Sequence, residues 1–168
     1  MVTLYLARHG QTVDNARHIM QGQTQGELDT VGMEQAKELA AKMQNEPIDV
    51  FMSSDLKRAM DTCSVVAAMH GQDIVTTPLL RERDWGGFTG LYIPDLKDRV
   101  WPDDIETLDA LMLRAGKFLD YLRSDYNSKA VFAVGHGIIN KAIQAVLLGK
   151  AMKDVMRMEN AEVRKLRV

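Results

Sequence analysis

Val2-Thr3-Leu4-Tyr5-Leu6-Ala7 is a short aliphatic and β-branched run that ends in Arg8-His9-Gly10. The pattern returns late in the chain, where the apolar run 130–135 leads into His136-Gly137. A buried strand that stops at such a point presents its imidazole at the carboxyl edge of a sheet, and open α/β sheets bind ligands at that edge. Two strand-end histidines with arginines at hand make a site for an anion. The chemistry of imidazole points to a phosphate transferred to nitrogen.

Outward from these two runs, strands alternate with helices. The stretch from Gly10 to Gly26 reads as a loop rich in Gly and Gln. Ala36, Leu39, Ala40 and Met43 repeat at helical spacing after Thr30, which reads as the N-cap, and Pro47 lies beyond the helix end. Residues 49–53 form a second strand. A helix capped by Ser54, with Asp55 in its first turn, then carries Leu56, Ala59, Met60, Cys63, Ala67 and His70 on one face and closes at Gly71. Residues 74–77 are a third strand and 81–104 are irregular. A long helix over about 107–126 turns Leu108, Leu111, Met112, Ala115, Phe118, Leu119 and Leu122 inward. The wholly apolar strand 130–135 calls for cover on both faces. After His136 a helix carries Ile139, Ala142, Ile143, Val146 and Leu147, and 161–168 makes a charged edge strand. The expected architecture is a three-layer α/β/α sandwich on a mostly parallel sheet. Residues 1–168 form a single domain in this reading, with a short lid segment at about 84–104.

Composition narrows the function classes. With 168 residues, 46% hydrophobic and 26% charged, the chain is an ordinary globular sequence able to bury a core. A net charge of −2 offers no basic field, so neither nucleic acid nor an anionic membrane is an expected partner. Arg8 interrupts anything resembling a leader peptide, and no apolar stretch reaches membrane-span length. The single cysteine, Cys63, excludes an internal disulfide and fits the expected cytoplasmic location. A cysteine-phosphatase loop would need arginine at position 69, which is Met69. Neither a P-loop lysine after Gly135-His136-Gly137 nor a G-x-G-x-x-G after the first strand is present.

His9, His136, Arg8, Arg58 and Glu82 all follow strands, so this topology brings them to one edge. Phosphoryl transfer requires an in-line nucleophile, fixed positive charge on the equatorial oxygens and a proton for the leaving oxygen. A neutral imidazole attacks phosphorus when its other nitrogen is held as N–H by a carbonyl. Arginines clamp phosphate oxygens with a fork geometry that lysine lacks. A carboxylic acid supplies the proton and later takes one from water.

These residues resemble a known family. Arg8-His9-Gly10-Gln11-Thr12 with Asn15, Ser53-Ser54-Asp55-Leu56-Lys57-Arg58-Ala59, Leu80-Arg81-Glu82-Arg83-Asp84 with Gly86 and Gly90, and Val134-Gly135-His136-Gly137 are similar to motifs of the histidine phosphatase superfamily, phosphoglycerate mutase-like branch. Weaker matches are Gln21-Gly22, Gly32 with Gln35-Ala36, Glu106 with Arg114, and Asn160. The motifs keep their order from residue 3 to about 160. The resemblance implies the phosphoglycerate mutase-like fold, with His9 as nucleophile becoming phosphohistidine and Glu82 as proton donor. Arg8, Arg58 and His136 would form the phosphate pocket, assisted by Asn15 and the backbone N–H of Gly137, with Gln21 and Gly22 near the substrate. Neither metal nor organic cofactor is implied, and metal-ligand spacing such as H-x-H or C-x-x-C is missing.

The departures from the family lie around the pocket. Glu27-Leu28-Asp29-Thr30 stands where the family has Pro-Leu-Thr, and Trp85, Phe88 and Thr89 vary the acid loop. The segment from Gly90 to Ile105 is short where mutase members carry a long covering insertion. Water should therefore reach the phosphohistidine, which favours a phosphatase for a small phosphorylated metabolite. A phosphoglycerate mutase-like phosphotransferase and a non-catalytic phospho-ligand binding or regulatory protein are the alternatives. The intact set of His9, Glu82 and His136 weighs against the latter. Trp85 and Trp101 flank the irregular segment and line either a cleft or its packing. Substrate identity and oligomeric state leave no mark in the sequence.

Overall fold

The computed structural model describes residues 1–168. Its strands are β1 (Thr3–Arg8), β2 (Val50–Ser53), β3 (Ile74–Thr76), β4 (Ala130–Gly135) and β5 (Val163–Arg167). They form one sheet in the order β3-β2-β4-β1-β5, parallel throughout except for the antiparallel edge strand β5. The helices are α1 (Val13–Ala16), α2 (Thr30–Met43), α3 (Lys57–Ala68), α4 (Leu108–Asp125) and α5 (Gly137–Leu148).

Strand periodicity explains the layering. Leu4 and Leu6 of β1, with Val131 and Ala133 of β4, join Leu111, Phe118, Ile139 and Ile143 of α4 and α5 in one apolar cluster. The alternate residues Tyr5, Ala7, Phe132 and Val134 join Leu39, Met43, Cys63 and Val66 of α2 and α3 in another. Successive side chains of a strand point to opposite faces, so a strand apolar at every position must be covered twice. This is the expected three-layer α/β/α sandwich.

The path of the chain creates a crevice. From β1 it passes through α2 on one face, whereas from β4 it enters α5 on the other. Adjacent parallel strands that send the chain to opposite faces leave a ligand-binding crevice beyond their carboxyl ends. The register puts Arg8 opposite Gly135, and Ser53 opposite Val134, so the three strand ends finish level.

Several local readings change. The cap of α2 is Asp29, whose carboxylate accepts from Gly32 N at 2.7 Å, and Thr30 is the first helical residue. Both residues are competent caps; Asp29 prevails because it also binds Gln11 Nε2 at 2.7 Å. Ser54 does not cap α3, which starts at Lys57 after an uncapped Leu56. Asp55 lies outside that helix and pairs with Arg81. Leu108, the first residue of α4, is exposed rather than inward, and the buried face of the helix begins at Leu111. The loop 10–26 contains α1, closed by a capping box between Thr12 and Asn15. Residues 81–104 hold two short 3-10 turns, Gly86–Phe88 and Ile93–Leu96, around buried Phe88, Leu96 and Ile105.

One glycine pair fixes the first loop. A Cβ on Gly32 would stand 1.9 Å from the Gln11 carbonyl oxygen, and one on Gly10 would stand 2.5 Å from that of Gly32. Backbone thus packs on backbone where α2 meets the residues after His9. Gly32→Ala is expected to destabilise the chain by about 2 kcal/mol or more, since neither carbonyl can retreat freely. Urea unfolding measures this, and a loss below about 0.5 kcal/mol contradicts the close contact.

Candidate active site

At the carboxyl edge the two imidazoles meet. The ring centroids of His9 and His136 lie 5.0 Å apart, with the rings tilted by 58°. His9 Nδ1 is 2.7 Å from the Gly10 carbonyl oxygen. A carbonyl oxygen only accepts, so Nδ1 carries the proton and the lone pair resides on Nε2. The backbone that carries this ring is pinned on both sides. His9 N donates to Gly135 O, Asn160 Nδ2 donates to His9 O, and Gly10 N donates to Thr62 Oγ1.

His9 lines a cleft of about 150 Å³ together with Arg8, Asn15, Gln21, Gly22, Arg58 and Glu82. Arg8 closes β1 and Arg58 lies in the first turn of α3, and both are buried. Arg8 donates one bond to Met158 O. Arg58 donates to the carbonyls of Gly22, at 2.8 Å, and of Thr24. Burial lowers each guanidinium to a pKa of about 10, which leaves both cationic at neutral pH. The Nε groups of both arginines are buried without an acceptor.

His136 does not itself line the cleft; it is fully buried behind it. Its Nε2 meets Ser54 Oγ at 2.7 Å, and Ser54 Oγ also accepts from Leu56 N at 3.4 Å. The Ser54 hydroxyl keeps its hydrogen and a second lone pair, so this contact accommodates either tautomer of the His136 ring. His136 Nδ1 is buried with no partner. Burial, followed by the charge of Arg58, holds both imidazoles well below the ordinary histidine pKa. The rings are therefore neutral at pH 7.

Glu82 reaches the cleft from the segment after β3. Its Oε1 accepts from the backbone N–H groups of Arg83, Ile139 and Ile138 at 2.9, 3.1 and 3.2 Å, and Oε2 takes a 3.2 Å contact from Ile138. A carboxylate is well placed on the first turn of α5, where the N–H groups lack helical partners. The Glu82 backbone is held by Arg114, which donates to the carbonyls of Leu79, Arg81 and Glu82 while pairing with Glu106.

Of the residues read from sequence, His9, Arg8, Arg58, Glu82, Asn15, Gln21 and Gly22 surround one cleft. Asn15 Oδ1 is committed to Thr12 N and Asn160, so Nδ2 is the group it can offer. Buried Gln21 uses its Oε1 to accept from Thr12 Oγ1. His136 and Gly137 are the exceptions and do not line the cleft. The Arg157 guanidinium packs across Gly137, so that a Cβ there would lie 3.1 Å from Arg157 Nε and Nη2. Arg157 is itself a third cation on the cleft wall that sequence reading missed. It sits in irregular chain before β5, with no motif or periodicity to mark it. Ser54 was in view only as a helix cap.

Three arginines against one carboxylate thus line a cleft in a chain of net charge −2. No three His, Cys, Asp or Glu side chains are gathered closely enough to ligate a metal ion. The fold and site define an α/β protein with a neutral imidazole facing a guanidinium-lined anion cleft. The chain belongs to the histidine phosphatase superfamily (branch 1), whose sequence profile matches residues 4–168.

Among its relatives is a metal-independent phosphoserine phosphatase of Arabidopsis thaliana, 32% identical over 83% of this chain and 66% of that protein. A probable phosphoglycerate mutase of an Enterobacter species is 31% identical over 89% of this chain and 76% of the relative. The chain is thus shorter than these relatives. The structure of a mycobacterial glucosyl-3-phosphoglycerate phosphatase complexed with VO3 superposes with a TM-score of 0.87 at 26% identity, covering 98% of this chain and 92% of that one.

The neutral imidazoles imply a pH-dependent stability. Unfolded histidines protonate near pH 6.5, whereas His9 and His136 resist protonation in the folded chain. Their contribution is complete above about pH 6.5 and is lost as pH falls below it toward the depressed folded values. Urea unfolding between pH 7.5 and 5.5 should show stability falling with acid, by up to about 1.4 kcal/mol per pH unit for each ring. Replacing both with Asn should flatten that slope; an unchanged slope contradicts the assignment.

Proposed function

We propose that the chain is a phosphatase that hydrolyses a small phosphorylated metabolite through a phosphohistidine on His9. The observation that carries this reading is the set of buried nitrogens without hydrogen-bond partners, the donors Arg8 Nε and Arg58 Nε together with His136 Nδ1, beside an imidazole whose Nε2 lone pair is free. Buried donors are almost always satisfied, so a cluster of unsatisfied ones marks a place for an anion. Family membership and the names of the relatives support the same chemistry.

In the first step His9 Nε2 attacks phosphorus, the N–P bond forms and the ester P–O bond breaks. Glu82 acts as the acid that delivers a proton to the departing oxygen. Oε2 is the better placed atom for this, because Oε1 takes most of the backbone bonds. In the second step Glu82 removes a proton from water, the oxygen attacks phosphorus and His9 leaves as a neutral imidazole. Arg8, Arg58 and Arg157 offset charge on the equatorial oxygens, where fixed donors stabilise the transition state most. With its proton on Nδ1, His136 serves as a neutral donor, and Asn15 Nδ2 adds another. Gln21 and Gly22 shape the wall, Gly22 through the carbonyl that holds Arg58.

Residues 1–168 act as one domain in this account, with 84–104 as a short lid. From that segment only Trp85 and Ile93 reach the cleft. So brief a cover admits water to the phosphohistidine and favours hydrolysis over transfer to a second hydroxyl.

Substituting His9→Ala should abolish phosphate release from an aryl phosphate, while Glu82→Gln should lower kcat for an alkyl ester by about 10²–10⁴-fold. Full activity in His9→Ala would overturn the reading.

A further inference from the structure

The cleft adjoins a larger hollow, and Met20, Trp85 and Ile93 line both. That hollow has a volume of about 480 Å³, and Phe88, Leu96 and Trp101 continue its wall. Six of its eight lining residues are hydrophobic, and Lys97 is the one charged residue among them. By contrast the cleft of about 150 Å³ is smaller than the roughly 300–1,000 Å³ typical of small-molecule pockets. Any ester whose phosphorus lies against His9 must therefore extend its alcohol portion beyond the cleft, and the shared wall leads into the hollow.

The chemistry of that wall selects the alcohol. Trp101 stands edge-on to Trp85 at 5.5 Å and to Phe88 at 6.2 Å. The Arg83 guanidinium stacks 4.8 Å from the Trp85 ring centre and 5.3 Å from that of Trp101. Tyr92, Ile93, Val100 and Trp101 are each 43% or more exposed, an unusual density of apolar surface for one short segment. Against such walls a carboxylate loses hydration with Lys97 as its one charged lining partner, and an ammonium meets no opposite charge, whereas alkyl and aryl groups gain by burial.

We infer that this annex binds the alcohol portion of the substrate, and that the preferred substrates are small phosphate monoesters of apolar alkyl or aryl alcohols. Charged esters such as those of serine or glycerate fit it poorly. The inference rests on the phosphatase reading for where phosphorus sits, but it is tested by binding alone.

The test is a series of n-alkylphosphonates from methyl to hexyl, titrated calorimetrically into the intact chain. Affinity should rise roughly fourfold per methylene until the annex is filled. The Trp101→Ala chain should lose that increment for the longer members, and the wild-type series decides alone if this variant unfolds. Affinity that is independent of chain length, tighter binding of a carboxylate-bearing phosphonate, or no binding at all overturns the annex. Turnover of the corresponding phosphate esters, measured in parallel, separates the two readings. Hydrolysis without chain-length dependence leaves the phosphatase and removes the annex. A chain-length trend in binding without hydrolysis of any ester does the reverse.

Discussion

The 2.7 Å hydrogen bond from His9 Nδ1 to the Gly10 carbonyl joins the chemistry of the site to the path of the backbone. It determines which nitrogen is free, and it does so through the residue next in sequence, so the ring cannot turn without moving the loop. That loop is held in turn by Thr62 on α3, by Gln35 on α2 and by the backbone contact between Gly10 and Gly32. The tautomer of one ring is thus enforced by two helices packed on one face of the sheet. On the other face, the first turn of α5 holds Glu82 with backbone N–H groups. Nucleophile and proton carrier are therefore supported from opposite layers.

Electrostatics sets the second condition. Concentrating Arg8, Arg58 and Arg157 around one cleft is unfavourable without an anion, and only Glu82 among the lining residues opposes them. Burial first, and then the charges of Arg58 and Arg8, keep the imidazoles unprotonated. One arrangement therefore attracts a phosphoryl group and preserves the lone pair that attacks it. The carbonyls of Gly22, Thr24 and Gln25 hold the terminal nitrogens of Arg58 in place, so that little reorganisation is needed on binding.

The parts of this architecture that were legible in sequence are those with local causes. Strand runs that are apolar at every position announced a sheet covered twice, and the histidines after β1 and β4 had to emerge at its carboxyl edge. Arg58 and Glu82 were legible only as members of ordered motifs, because an isolated arginine at a helix start and a carboxylate in a charge run carry no signal of their own. Ser54 was misread as a cap because its hydroxyl suits either task, and the choice depends on His136, 82 positions away. Arg157 and the apolar annex come from irregular chain whose course is set by tertiary packing, so no spacing rule reaches them. Gly137 illustrates the converse: the motif glycine is legible, but the Arg157 guanidinium that stands where its side chain would be is invisible to the motif.

The central claim concerns a proton on one atom. Nitrogen-15 NMR of the side chain of His9 at pH 7, in the ligand-free chain, distinguishes protonated from unprotonated ring nitrogens directly. A neutral ring with hydrogen on Nδ1 and a pyridine-type Nε2 is the predicted result. Hydrogen on Nε2, or a doubly protonated imidazolium, would contradict it.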